Sequence, residues 1–192
     1  MVEDEGMKMR KLLLVVLLVL TLPGLALARD GTWAQPLKIN GVPNLNRVSA
    51  TLYRSAQPTG DGFKQLESQL HVATDLDLRL GHSDAPFLVG TQIGAATAPM
   101  STFMGDADVI KALRLIVAAE KNGSVLVHCQ RGADRTGVVM AMYRVVVQGW
   151  TKDKAIAEME QGGFAYDPLQ INIPWLIRHA DVAAYRAALA KR

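Results

Sequence analysis

Cys129, the chain's one cysteine, is separated by five residues from Arg135 in the run His128-Cys129-Gln130-Arg131-Gly132-Ala133-Asp134-Arg135-Thr136-Gly137. The apolar stretch Val125-Leu126-Val127 precedes this run and Val138-Val139-Met140-Ala141-Met142 follows it. That order reads as a short buried strand, a loop and the start of a helix. The backbone N–H groups of Gln130, Arg131, Gly132, Ala133, Asp134 and Arg135 can curl into a nest for an oxyanion, and Gly132 allows the tight curve at little strain. A helix beginning near Thr136 adds its unpaired N–H groups and the positive end of its dipole. Arg135 can grip two phosphoryl oxygens through its planar fork, which a lysine could not match.

The field that binds the anion also lowers the pKa of Cys129. The chemistry this permits is in-line displacement at phosphorus: thiolate attack, a cysteinyl-phosphate, then hydrolysis by water. Arg135 and the loop amides face the equatorial oxygens on which charge collects. Thr136 can donate its hydroxyl to the Cys129 sulfur, and His128 is suited to orienting the cysteine. Asp134 is expected to hold the loop backbone or Arg135, because a carboxylate aimed at the phosphate would repel it. Arg131 is expected at the pocket rim, raising the local potential.

The run HCQRGADRTG resembles the signature loop of the cysteine-dependent protein tyrosine phosphatases, and most of all their compact dual-specificity branch in bacteria. NLNRVSATLYRSAQPT at 44–59, MYRVVVQGWTKDKAIAEM at 142–159 and GGF at 162–164 agree with that branch, so the resemblance spans roughly residues 40–165. It is greatest to a periplasmic type associated with control of biofilm formation. The resemblance implies a metal-independent phosphomonoesterase with no cofactor, acting on phosphotyrosine in proteins. Dual specificity, or an inositol phosphate or phosphoinositide as substrate, is the alternative, and the neutral Gln130 after the cysteine favours protein phosphotyrosine. A catalytically weak phosphate-binding module is the reading of another class. Rhodanese-like sulfur transfer fits Arg135-Thr136-Gly137 less well.

Cleavage of a phosphate ester needs a proton for the departing oxygen. The resembled family carries it as an aspartate on a loop upstream of the cysteine, here residues 98–108. A gap-free comparison with the periplasmic type puts that position on Thr102, which cannot serve. Asp106 is the best replacement, following Gly105 at the start of a helical stretch, although capping that helix is an equally good use for it. Asp108, inside the first turn, suits dipole compensation, and Asp84 in a polar loop is a third candidate for the acid.

Residues 8–28 read KMRKLLLVVLLVLTLPGLALA: a basic start, an apolar core from Leu12 to Leu22, a Pro-Gly break and Ala26-Leu27-Ala28. This is the pattern of a secretory signal peptide, too short and wrongly flanked for a stable membrane span. Residues 1–28 are therefore expected to be removed, giving a periplasmic or secreted protein. The lone cysteine then works in an oxidising compartment without an internal disulfide partner.

The remaining 164 of 192 residues suit one domain. Residues 29–43, rich in Gly, Pro and Asn, read as an arm with little regular structure, and 44–192 as the phosphatase domain. Strands are expected at 51–54, 71–80 and 93–98, and helices at 61–70, 106–121, 136–147 and from the Thr151 cap to Met159. A C-terminal helical region is expected to start at Asp167-Pro168, with Trp175 and Tyr185 in the core. Strands separated by helices, with the chemistry at a strand's carboxyl end, point to an α/β sandwich: a central, mostly parallel sheet flanked by helices. The net charge of +3, with no basic stripe interleaved with aromatics, argues against nucleic acid. His71, His82, His128 and His179 are scattered along the chain and give no zinc spacing. Nothing in the sequence requires more than a monomer.

Overall fold

The structure is a computed structural model that describes residues 30–191; the expected signal peptide lies outside them. Six strands form one sheet in the order β1-β2-β3-β6-β4-β5. They are β1 (Gln35–Pro36), β2 (Asn46–Arg47), β3 (Leu52–Ser55), β4 (Val72–Asp77), β5 (Gly94–Thr97) and β6 (Ser124–His128). β3, β6, β4 and β5 run parallel, whereas β1 and β2 add antiparallel at one edge. The expected arm is thus not wholly irregular: Gln35 and Pro36 pair with Arg47 and Asn46.

Period-two alternation on β6 sorts the two faces. Val125 and Val127 join the large apolar cluster on one side, and Leu126 joins the smaller one on the other. The small cluster is closed by Phe63 and Leu66 of α1 (Gly60–Leu70), a helix capped by the Thr59 hydroxyl. Burying Phe63 completely is worth about 1.5–3 kcal/mol relative to exposure. The large cluster packs beneath α2 (Asp106–Ala119), α3 (Asp134–Val146), α4 (Lys152–Gln161), α5 (Asn172–His179) and α6 (Val182–Ala190). α3 is surrounded: from Thr136 to Val146 every residue is buried. Among the described residues no helix is long and apolar enough to cross a membrane.

Two expectations about the C-terminal region are corrected. Helix α5 starts at Asn172, so Asp167 and Pro168 remain in the connection from α4. Tyr185 is in the core, but Trp175 is 62% exposed and stacks on His179, one helical turn away.

A buried ion pair fixes α3 to α4. Arg144 donates from Nη2 to Glu158 Oε1 at 2.6 Å and from Nε to Oε2 at 2.8 Å. Glu158 also accepts the Ala34 N–H, and Arg144 donates to the Val48 carbonyl, so the pair ties in both N-terminal segments. Removing one partner strands the other charge in the core. Glu158→Ala is expected to cost about 3–5 kcal/mol, read as a lowered midpoint in urea unfolding.

Candidate active site

The alternation that buries Val127 sends the next side chain, His128, to the α1 face, where its ring meets Phe63 edge-on at 6.2 Å. Cys129 then returns to the side of the large core and is 2% exposed. The chain turns through residues 130–133 into α3. Gly132 adopts φ +68°, and a Cβ there would collide with the Ser55 carbonyl, so both conformation and space demand glycine. The buried Arg54 lies over the Phe164 ring and donates to the Gly132 carbonyl at 2.7 Å. Asn44 donates to the carbonyls of Arg131 and Phe164. The loop is therefore braced from outside. Helix α3 has Ala133 as its cap residue, which offers no capping side chain and leaves the first turn's amides for a ligand.

Cys129, Gln130, Arg131, Asp134 and Arg135 line a cavity of about 350 Å³ together with Thr102, Asp167 and Gln170. Burial pushes the Cys129 thiol up, but hydrogen bonds from the Thr136 hydroxyl and N–H, the Arg135 charge and the Gly132 N–H outweigh it, and its pKa lies below the ordinary value. The Thr136 hydroxyl is fully buried and is committed to no oxygen or nitrogen partner among the described residues. Both carboxylate oxygens of Asp134 are engaged within the protein: Oδ2 pairs with Arg131 at 2.6 Å and Oδ1 accepts the Asp167 N–H at 3.0 Å. The residue it restrains is Arg131, not Arg135. Arg131 remains largely solvent-exposed at the rim.

The structure does not bring Asp106 to this cavity. Asp106 is the first helical residue of α2, one after the cap residue Gly105, and Oδ1 accepts the Tyr185 hydroxyl at 2.7 Å. It lines a neighbouring cavity with Phe103, Asn172 and Trp175. Asp108 supports the helix start by accepting the Gly105 N–H at 3.0 Å.

Asp84 is engaged on the opposite face. The histidines scattered in the sequence are partly gathered there, because β4 places Asp75 and Asp77 beside β6 and the 81–88 loop adds His82 and Asp84. His128 Nε2 lies 3.0 Å from Asp75 Oδ1 and 3.1 Å from Asp84 Oδ2, and His82 Nδ1 lies 2.8 Å from Asp77 Oδ2. Asp75, Asp84 and His128, and likewise Asp77, His82 and Asp84, present ligand atoms within 4.8 Å of one another, a donor set that could also hold a cation. Burial alone would lower the His128 pKa, but the two carboxylates raise it to about 10. Asp75 is pushed up to about 6 by burial, against the pull of His128. Asp84 is also opposed by burial, yet His128 and Gln57 hold it below the ordinary range. The two acidic neighbours thus favour the charged form of the His128 ring. Its Nδ1 faces the Cys129 carbonyl at 3.4 Å.

Sequence reasoning misses Asp167, Gln170, Arg54 and Asn44 as site residues, and takes Asp167 for a helix start. Its aspartate-proline pair in a turn just beyond the matched GGF is the local signal that it stays in a loop.

Two outcomes follow from these geometries. Thr136→Val removes a donor to the sulfur, so the pH profile for alkylation of Cys129 by iodoacetate shifts to higher pH. The raised His128 pKa contributes stability that is fully present below about pH 6.5 and is lost as pH rises through about 10. Thermal melts between pH 6 and 10 therefore fall more steeply for the parent than for His128→Asn.

The chain matches the tyrosine phosphatase family over residues 42–166. It is 38% identical over 166 residues to the dual specificity protein phosphatase TpbA of Pseudomonas aeruginosa, covering 86% of this chain and 74% of that one. The crystal structure of P. aeruginosa TpbA superposes with a TM-score of 0.76 at 38% identity, over 84% of this chain and 98% of that one. A cysteine-to-serine form of TpbA in complex with phosphotyrosine gives 0.76 at 37% identity, over 85% and 99%. The core catalytic domain of a PP-IP phosphatase from S. cerevisiae gives 0.68 at 25% identity, over 78% and 93%. With a low-pKa cysteine and an arginine in one cavity at the head of α3, the chain belongs to the tyrosine phosphatase family, in the cysteine-dependent dual-specificity branch that includes TpbA.

Proposed function

We propose that this phosphatase removes phosphate from phosphotyrosine in proteins through a cysteinyl-phosphate intermediate. The observation that carries the reading is the shared cavity of Cys129 and Arg135, with the cysteine pKa lowered by Thr136, Arg135 and loop amides. The thiolate attacks phosphorus, the P–O bond to the substrate breaks, and water later cleaves the S–P bond and returns the thiolate. Arg135 and the N–H groups of Gln130, Arg131, Gly132, Ala133 and Asp134 bind the phosphoryl oxygens and take up the charge of the transition state. Thr136 stabilises the sulfur as nucleophile and as leaving group. His128 holds the base of the loop through the Cys129 carbonyl, and Asp134 steadies its rim through Arg131.

TpbA bound to phosphotyrosine supports the choice of substrate. Charge neutralisation by Arg135 and the amides gives the mechanism no step that calls for a metal or cofactor. The signal-like residues 8–28 support export, with 1–28 removed, 29–43 as the leading segment and 44–192 as the catalytic domain.

Cys129→Ser is expected to lower kcat on a phosphotyrosyl peptide by on the order of 10⁴-fold or more while the peptide still binds. Arg135→Lys should lower kcat by about 10²–10³-fold and weaken binding as well. Activity of the parent should survive chelator. Undiminished turnover by Cys129→Ser would refute the covalent mechanism, and loss to chelator that zinc or magnesium restores would refute its metal-free form.

A further inference from the structure

We infer that Asp167, on the connection between α4 and α5, is the general acid of this phosphatase; the inference rests on the phosphatase reading above. Two carboxylates line the cavity of Cys129 and Arg135: Asp134 and Asp167. Both oxygens of Asp134 are committed, one to Arg131 and the other to the Asp167 N–H. The Asp167 carboxylate accepts only the Leu169 N–H, through Oδ1 at 3.0 Å, so its Oδ2 has no hydrogen-bond partner among the described residues. The side chain is half-buried, which leaves it able both to meet a leaving group and to exchange protons with solvent.

The upstream loop offers no rival. Its cavity-lining residue is Thr102, which has no usable proton, and Asp106 is held by Tyr185 in the adjacent cavity. Asp84 is buried against His128.

Asp167 is positioned by the anion trap itself. Its N–H is bound by Asp134, the residue before Arg135, so the loop that carries the acid is anchored to the first turn of α3. Thr102 and Gln170 complete the wall, and the Asn172 amide ties the 99–105 loop to α5 by donating to the Thr102 carbonyl at 2.7 Å. In the first step Cys129 Sγ bonds to phosphorus as the P–O bond breaks. The electron pair goes to the departing oxygen, which takes the proton from Asp167. In the second step the Asp167 carboxylate removes a proton from the attacking water as the S–P bond breaks, which restores both groups. The charged and titratable groups around it are Arg131, Arg135, Asp134 and Cys129 in the cavity, with Tyr166 beside it in sequence.

The test is the dependence of kcat on leaving group for the parent, Asp167→Asn, Asp167→Glu and Asp106→Asn. The asparagine in Asp167→Asn keeps an oxygen for the Leu169 N–H, so the turn is preserved. Inhibition by inorganic phosphate and alkylation of Cys129 report whether the trap is intact. Asp167→Asn is expected to lose about 10²-fold or more on phosphotyrosine and far less on 4-nitrophenyl phosphate, whose phenol departs with little help. The alkaline limb of its kcat/KM profile should vanish, Asp167→Glu should recover part of the rate, and Asp106→Asn should follow the parent. An Asp167→Asn enzyme equal to the parent, or slowed equally on both substrates, overturns the assignment. So does a leaving-group-selective loss in Asp106→Asn. A parent inert toward every phosphomonoester would overturn the phosphatase reading, and this assignment with it.

Discussion

A sulfur atom nearly closed off from water can carry negative charge only where fixed dipoles and cations replace the solvent it has lost. That requirement organises the molecule. The donors around Cys129 must point inward before any substrate arrives, since a loop left to relax would spend its N–H groups on itself. Gly132 permits the curve, and the neighbouring Ser55 carbonyl leaves no room for another residue. Arg54 and Asn44 take the loop's outward carbonyls, which keeps the peptide planes turned with their N–H groups toward the cavity. The helix that follows could have been capped by a serine or aspartate; with Ala133 at that place its first amides stay available. Burial on every side of α3 makes it a rigid base for this arrangement.

Behind the cysteine, the same strand carries a second electrostatic burden. One residue of alternation separates Cys129 from His128, so the imidazole ring lies on the other face of the sheet, between two carboxylates. A buried ion cluster of this kind is a poor source of net stability, because desolvation consumes most of the attraction. Its value is geometric. With Nε2 directed at Asp75 and Asp84, the ring has one orientation, and the Cys129 carbonyl follows its Nδ1. The partners come from β4 and the loop after it, so the strand beside β6 fixes the entry to the phosphate loop.

What is legible in the sequence is local. Strand β6, the loop and α3 lie within about twenty consecutive residues, and each signal (apolar alternation, glycine, the arginine-threonine pair) acts on its immediate neighbours. The Thr151 cap and the helix from Gly60 are legible for the same reason. Contacts between distant segments are not. Asp75 and Asp77 read as the polar half of a strand, and only the fold shows that Asp75 meets His128 and Asp77 meets His82. Asp106 fits the role of acid by its place in the chain, whereas the position of α6 decides that its carboxylate meets Tyr185. Arg144 and Glu158 carry no local sign of burial; the packing of α3 on α4 closes them against each other. Trp175 is the converse: an aromatic on an amphipathic helix that the packing leaves in solvent.

These non-local contacts change how the site is assembled. With Thr102 in the upstream loop, the leaving-group side of the cavity is formed by the segment that follows α4. The nucleophile, the anion trap and the acid then come from one stretch of chain: β6, its loop, α3, α4 and the return to Asp167. Their relative placement is set by how α3 packs on α4, and at the centre of that packing is the Arg144–Glu158 pair. The pair also binds Ala34 and Val48, which brings the edge strands into the same rigid unit. A structure built this way has less need of a swinging loop to deliver the proton. The Asp167 backbone is tethered to the residue beside Arg135, so a phosphate seated on the arginine is already next to the loop that protonates its leaving group.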